Sequence, residues 1–181
     1  MQSVGYLQII PLLSDLEDKR FVAPNEIHVS TCDYGSLRFE NHTDLITIVP
    51  VHAGYVVKED AQDHAMAHAG IIKQNSDKQY DTAMCIQQNQ GGCISKGKHK
   101  LIILPFSLRE KALRSRHQTS YGKLWTSISK FNKKLGAWAE GHLEYFLNKF
   151  ETELDEFVAE FESVPKQVGA IILLDGNVVG I

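Results

Sequence analysis

The most suggestive stretch for chemistry is Asp60-Ala61-Gln62-Asp63-His64-Ala65-Met66-Ala67-His68. On a helix, His64 and His68 would stand at i and i+4 on one face, close enough for two imidazoles to hold a metal, with Asp60 or His52 as a further ligand. Ala65 follows His64 where a zinc protease would carry the glutamate of HExxH, which removes that reading. The plain alternative is a set of neutral histidines with ordinary hydrogen bonds. A second candidate begins at Cys85 and runs through Gln87-Gln88-Asn89-Gln90-Gly91-Gly92 to Cys93. Gly91 and Gly92 would let the backbone approach a ligand closely, and the amide of Gln88 could read a base or a carbonyl by paired donor and acceptor. Tight-turn chemistry explains the glycines equally well. A nucleophilic Cys85 would need a histidine beside it, such as His64. Arg109, after Pro105-Phe106-Ser107-Leu108, could clamp an anion or pair with an acidic helix. Neither GxxxxGK[ST] nor GxGxxG occurs, so a nucleotide would have to be held by another geometry.

The elements that must position these groups are short strands in the first half: Tyr6–Ile10, Glu26–Thr31 and Leu45–Val51, each bounded by turn formers such as Ala23-Pro24-Asn25 and Tyr34-Gly35-Ser36. Further runs fall at Thr82–Gln87, Lys100–Phe106 and Val168–Leu174. Leu124, Trp125, Ile128, Phe131 and Leu135 lie on one face of a helix that starts after Thr119 or Ser120. Leu143, Leu147, Phe150, Leu154, Phe157 and Phe161, spaced 4, 3, 4, 3, 4, predict a second helix over 141–162 that ends before Pro165. The class expected is α+β: a strand-rich sheet or partial barrel in the first half and C-terminus, with an antiparallel helix pair inserted at about 108–162. The chain reads as a single domain over 1–181. It closes on Asp175-Gly176-Asn177, a hairpin turn with a return strand of about four residues; either that strand is short or a longer C-terminal part has been lost.

Charge divides the helical half. From Lys96 to Lys134 there are eleven Lys or Arg against Glu110 alone; from Ala139 to Glu162 there are eight acidic residues against Lys149. An antiparallel pair with opposite charges along its rim is one reading. A phosphate- or polynucleotide-facing basic surface is the other. The formal net charge of -3 gives no overall case for nucleic acid or anionic membrane. With 43% apolar and 23% charged residues the composition is that of an ordinary globular chain, and no apolar run approaches a membrane span. The first residues lack a basic segment followed by an apolar one, and three cysteines without a CxxC pair fit reduced thiols, so a cytoplasmic setting is expected.

Gly5-Tyr6-Leu7-Gln8-Ile9-Ile10-Pro11-Leu12, Ala61-Gln62-Asp63-His64, Cys85 with Gly91-Gly92, and Gln167-Val168-Gly169-Ala170 leading to Asp175-Gly176-Asn177-Val178-Val179-Gly180 occur in an order that resembles the ARG and rhodanese-phosphatase-superfamily-associated domain family. That family is named for its association with ADP-ribosylglycohydrolases and rhodanese or phosphatase proteins. The resemblance implies a nucleotide-derived ligand by context and more chain after the final hairpin. Where family members tend to carry an arginine after the Gln-Asp pair, this chain has His64; where they tend to place Glu and then Arg-Trp, it has Gln87 to Gly92.

Three functions are therefore expected in competition. The first is a binding domain for a small molecule or ADP-ribose-like nucleotide derivative, with Asp63 or His64 as general acid or base, Cys85 beside them, and Gln62 and Gln88 orienting the ligand. The second is an interaction module that forms a homodimer through helix 141–162. The third is a metal hydrolase using His64 and His68.

Overall fold

The structure is a computed structural model that describes residues 1–16, 19–57, 62–88, 92 and 99–181, with the backbone only of Cys32. Asp60, Gly91 and Cys93 lie outside the described residues. In chain order the elements are β1 (Gln2–Val4), β2 (Leu7–Leu13), β3 (Phe21–Val22), β4 (His28–Asp33), β5 (Ser36–Asn41), β6 (Ile46–Val49), β7 (Ala53–Val57), β8 (His64–Ala65), β9 (Gly70–Ile72), β10 (Ser76–Tyr80), β11 (Met84–Cys85), β12 (His99–Ile103), α1 (Phe106–Ser115), α2 (Trp125–Lys134), α3 (Glu144–Lys149), α4 (Glu151–Ala159), β13 (Gln167–Leu174) and β14 (Asn177–Gly180). Strands hold 38% of the described residues and helices 21%, an α+β composition. No helix among the described residues is long and apolar enough to cross a membrane.

The contacts gather into two compact units, Lys19–Lys149 and Met1–Asp18 with Phe150–Ile181. In the smaller one, β1, β2, β13 and β14 form an antiparallel sheet in that order. The Asp-Gly turn foreseen at the last hairpin is present: Asp175 and Gly176 take φ of 50° and 73°, the left-handed values such a turn needs. No described residue of this unit is fully buried.

The larger unit carries three sheets, ordered β10-β5-β4, β11-β8-β7-β12 and β3-β6-β9. Its Ala53-Gly54-Tyr55-Val56-Val57 strand, β7, is buried throughout, which is why it reads as an unbroken apolar run. Alternation sends its side chains to two cores. Val56 joins Ala65, Met84, Ile86, Leu104, Leu124 and others; Tyr55 joins Leu37, Phe39, Val49, Met66 and Ile72.

The helical half differs from the two long helices expected. α1 was hidden in the sequence because the residues it buries are Leu108, Ala112 and Ser115, of which only one is large and apolar. It packs with α2, so two basic helices are neighbours, and Lys111, Lys130 and Lys134 line the groove between them. The expected helix over 141–162 breaks at Phe150 (φ −112°, ψ 20°) into α3 and α4, which belong to different units. A 4-3-4-3 apolar spacing runs through a one-residue break without registering it.

Candidate functional site

β8 is short, but two neighbours fix its register: His64 pairs with Tyr55 of β7 and with Cys85 of β11. Cross-strand partners share a face, so the sheet brings His64 and Cys85 side by side as the Cys–His reading required. Both are fully buried, and their polar atoms are engaged internally. The backbone N–H of Gly35 donates to His64 Nε2 at 3.0 Å, and Nδ1 lies 3.3 Å from the Gln62 carbonyl. Together these set the Nδ1–H tautomer and occupy the lone pair a base would use. Burial, opposed by the Gln62 bond and aided by His99, lowers the His64 pKa to about 4. The Cys85 thiol donates to the Gln87 carbonyl at 3.0 Å.

Asp63 has different surroundings. Its Oδ1 accepts from the Val57 N–H at 2.7 Å, and its own N–H donates to Gln87 Oε1 at 3.1 Å. Its Oδ2 is buried with no hydrogen-bond partner among the described residues. The segment after β11 continues the pairing: Ile86 N–H donates to Asp63 O, Leu143 N–H to Ile86 O and Gln88 N–H to Gly141 O, with Gln87 bridged to His142. This chain of backbone bonds delivers His142 and Glu144 to Asp63. One ligand atom from each of the three lies within 4.8 Å of the others, and His142 Nε2 is 3.4 Å from Glu144 Oε2. Burial first, and the Glu144 charge after it, push the Asp63 pKa up to about 7 against the pull of the Val57 bond. Burial lowers that of His142, with Glu144 and Glu140 opposing. Asn132 of α2 holds the loop, donating to the carbonyls of Glu140 at 3.0 Å and His142 at 2.8 Å.

His142 and Glu144 were not foreseen. Only the pairing of 86–88 with 141–143 brings them near Asp63, and the sole trace in the sequence is a His and a Glu flanking Leu143 at a helix start.

The remaining candidates are dispersed. Gln62 is completely buried, both its side-chain amide atoms are without a partner among the described residues, and its backbone N–H donates to the Gly92 carbonyl at 2.9 Å. Gln88 is exposed and structural, its Oε1 accepting from the Gly141 N–H at 3.0 Å. Arg109 sits on α1, its Nε donating to the Leu104 carbonyl at 2.7 Å and its guanidinium 5.8 Å from the Phe106 ring centre. The His64–His68 metal pair requires correction, because β8 is a strand and the two do not share a helical face. His68 instead faces His117, ring centres 5.3 Å apart. Its pKa falls through burial and then through His117, Arg116 and Lys123, a positive neighbourhood that disfavours a bound cation.

Beside the His64 pairing lies a cleft of about 490 Å³ lined by Pro24, Asn25, His28, Tyr55, His99 and Leu101. Tyr55, the register partner of His64, forms part of it, and its hydroxyl is buried without a partner among the described residues.

Neither a curated protein nor a solved structure shows detectable similarity to the chain. One family matches from end to end, residues 1–181. The resemblance seen in the short motifs thus extends over the whole sequence, and the chain belongs to the ARG and Rhodanese-Phosphatase-superfamily-associated Protein domain family.

Proposed function

We propose that the larger unit binds a small, nucleotide-derived molecule in the cleft beside β7. The observation that carries this reading is the cleft itself, about 490 Å³ and lined by Asn25, His28, Tyr55 and His99. That volume falls within the range of small-molecule sites, which combine flat or apolar walls with a few orienting polar groups. The rings of His28 and His99 offer stacking surfaces, and Asn25 offers the paired donor and acceptor that a base edge requires. A phosphate-bearing ligand is in keeping with the association with phosphatase-superfamily proteins in the family's name. A reducing, cytoplasmic setting suits the buried Cys85, whose thiol donates to the Gln87 carbonyl.

Thermal melting with adenosine, AMP, NAD and ADP-ribose tests the reading. A ligand present at about 100 times its Kd adds about 2.7 kcal/mol to the folded state. One member of the panel should raise Tm by several degrees. No shift with any of the four, in a chain shown to be folded, rejects a nucleotide-derived ligand.

A second reading has support in the smaller unit. Leu7, Ile9, Phe157, Val158 and Phe161 line a groove of about 390 Å³, and Val158 is 67% exposed. In this reading α4, the part of the expected 141–162 helix that keeps an apolar face in the open, docks a second copy of the chain. Sedimentation velocity across concentrations, with Phe157→Glu as the disrupting variant, separates a self-associating chain from a monomer.

A further inference from the structure

We propose that Asp63, His142 and Glu144 form a site for one first-row divalent cation of the Mn²⁺ or Zn²⁺ type. Two ligands bound at about 2.1 Å to one ion stand about 3.0–3.4 Å apart in octahedral or tetrahedral geometry. The three donor atoms already lie within 4.8 Å of one another, with the His142–Glu144 pair at 3.4 Å.

Two acids near a histidine do not by themselves make a site; the unpaired interior atoms point to the ligand. Asp63 is completely buried, its Oδ1 engaged by Val57 and its Oδ2 without a partner. His142 is 8% exposed; its Nδ1 is buried without a hydrogen bond among the described residues, and its Nε2 faces the Glu144 carboxylate at 3.4 Å. Native interiors leave few buried polar atoms unpaired, and each one carries a desolvation cost. Here the open Asp63 carboxylate and one His142 ring nitrogen lie close together where a second carboxylate also faces in. Without a cation, Glu144 repels the Asp63 charge. A dication turns that repulsion into attraction to both carboxylates.

The surroundings have the form of a ligand support. The Asp63 backbone is tied to Gln87 Oε1, and the His142 carbonyl is held by Asn132, so neither donor needs the other to stay in place. An O,O,N donor set suits Mn²⁺, Fe²⁺ or Zn²⁺ rather than a thiolate-seeking metal. Three protein ligands leave coordination positions for water or for an oxygen of a substrate. The proposal stands apart from the nucleotide reading, because the cleft lined by Asn25, Tyr55 and His99 includes none of the three ligands.

The full chain, stripped with EDTA and dialysed, is titrated by calorimetry with MnCl₂ and, separately, ZnCl₂. One equivalent should bind, Tm should rise at saturation, and Glu144→Gln should weaken binding at least tenfold with the near-ultraviolet circular dichroism unchanged. Pulsed electron paramagnetic resonance of the Mn²⁺ complex should show coupling to an imidazole nitrogen, lost in His142→Gln. Should His142→Gln fail to fold, the nitrogen coupling in the wild type together with the Glu144→Gln titration decides the matter. No binding by folded wild type, several weak equivalents without nitrogen coupling, or equal affinity in Glu144→Gln would overturn the site. A nucleotide-induced melting shift in the cation-free chain bears on the cleft alone.

Discussion

The two units of this chain use the same kinds of element and reach different interiors. The larger encloses two buried clusters around β7, while the smaller pairs four strands and a helix without fully burying any described residue, leaving Leu13 62%, Val168 64% and Val178 61% exposed. Backbone pairing is therefore enough to build a sheet in either unit. Dense packing is what makes a polar atom consequential. In the smaller unit an unpaired carboxylate would turn to water; in the larger one the unpaired oxygen of Asp63 has no such escape, so its lack of a partner marks a place for something to bind.

The sharpest way to break this contrast is to cut one apolar side chain in each unit. Leu104→Ala, at a fully buried position, should cost about 2–5 kcal/mol. Val158→Ala should cost less than about 0.5 kcal/mol. Urea denaturation followed by fluorescence measures both, and equal losses would mean that the two interiors are alike. Next in size, Asn132→Ala leaves the Glu140 and His142 carbonyls without their amide donor, which should cost about 1–3 kcal/mol and weaken cation binding through the displaced loop. A loss of stability with unchanged affinity for Mn²⁺ would show that the loop does not position the site.

Asp63→Asn should move stability the other way. Asparagine keeps an oxygen for the Val57 N–H and removes a buried charge that faces Glu144, so the cation-free variant should be more stable at pH 8 by on the order of 1–2 kcal/mol. The sign follows from linkage. A folded-state pKa raised from 3.8 to about 7 means that folding favours the protonated acid, so this contribution is complete below pH 4 and is lost as pH rises through 7. The gap between variant and wild type should therefore close as pH falls toward 4, and a gap independent of pH would contradict the assignment. The smallest change in stability belongs to Phe157→Glu, within about 0.5 kcal/mol, because the residue is 41% exposed. Its effect should appear in sedimentation instead, as loss of concentration-dependent association.

Much of the fold was legible because strand alternation and turn residues act locally. The Asp-Gly turn before β14, the strand runs at β2, β6 and β13 and the face of α2 could all be read directly. α1 could not, since it is held by a buried alanine and serine that leave almost no periodic signal. The break at Phe150 preserves the apolar phase on both sides, so spacing alone reads one helix. For the candidate site, the Gln62-Asp63-His64 corner stood out by residue type, and the pairing of His64 with Cys85 follows from adjacent short strands. What one-dimensional pattern could not supply was direction: which polar atoms the fold satisfies, as with His64 through Gly35, and which it leaves open, as with Asp63. His142 and Glu144 reach Asp63 through pairing between segments more than fifty residues apart in the chain, which no local rule encodes.

The most direct measurement is anomalous diffraction from crystals of the full chain soaked in MnCl₂ after EDTA treatment. The expected result is one strong peak within about 2.4 Å of an Asp63 carboxylate oxygen, a His142 ring nitrogen and a Glu144 carboxylate oxygen. Well-ordered density for these three side chains with no peak between them, or with the peak on an exposed acidic cluster elsewhere, would contradict the claim that the unpaired atoms of the larger unit await a ligand.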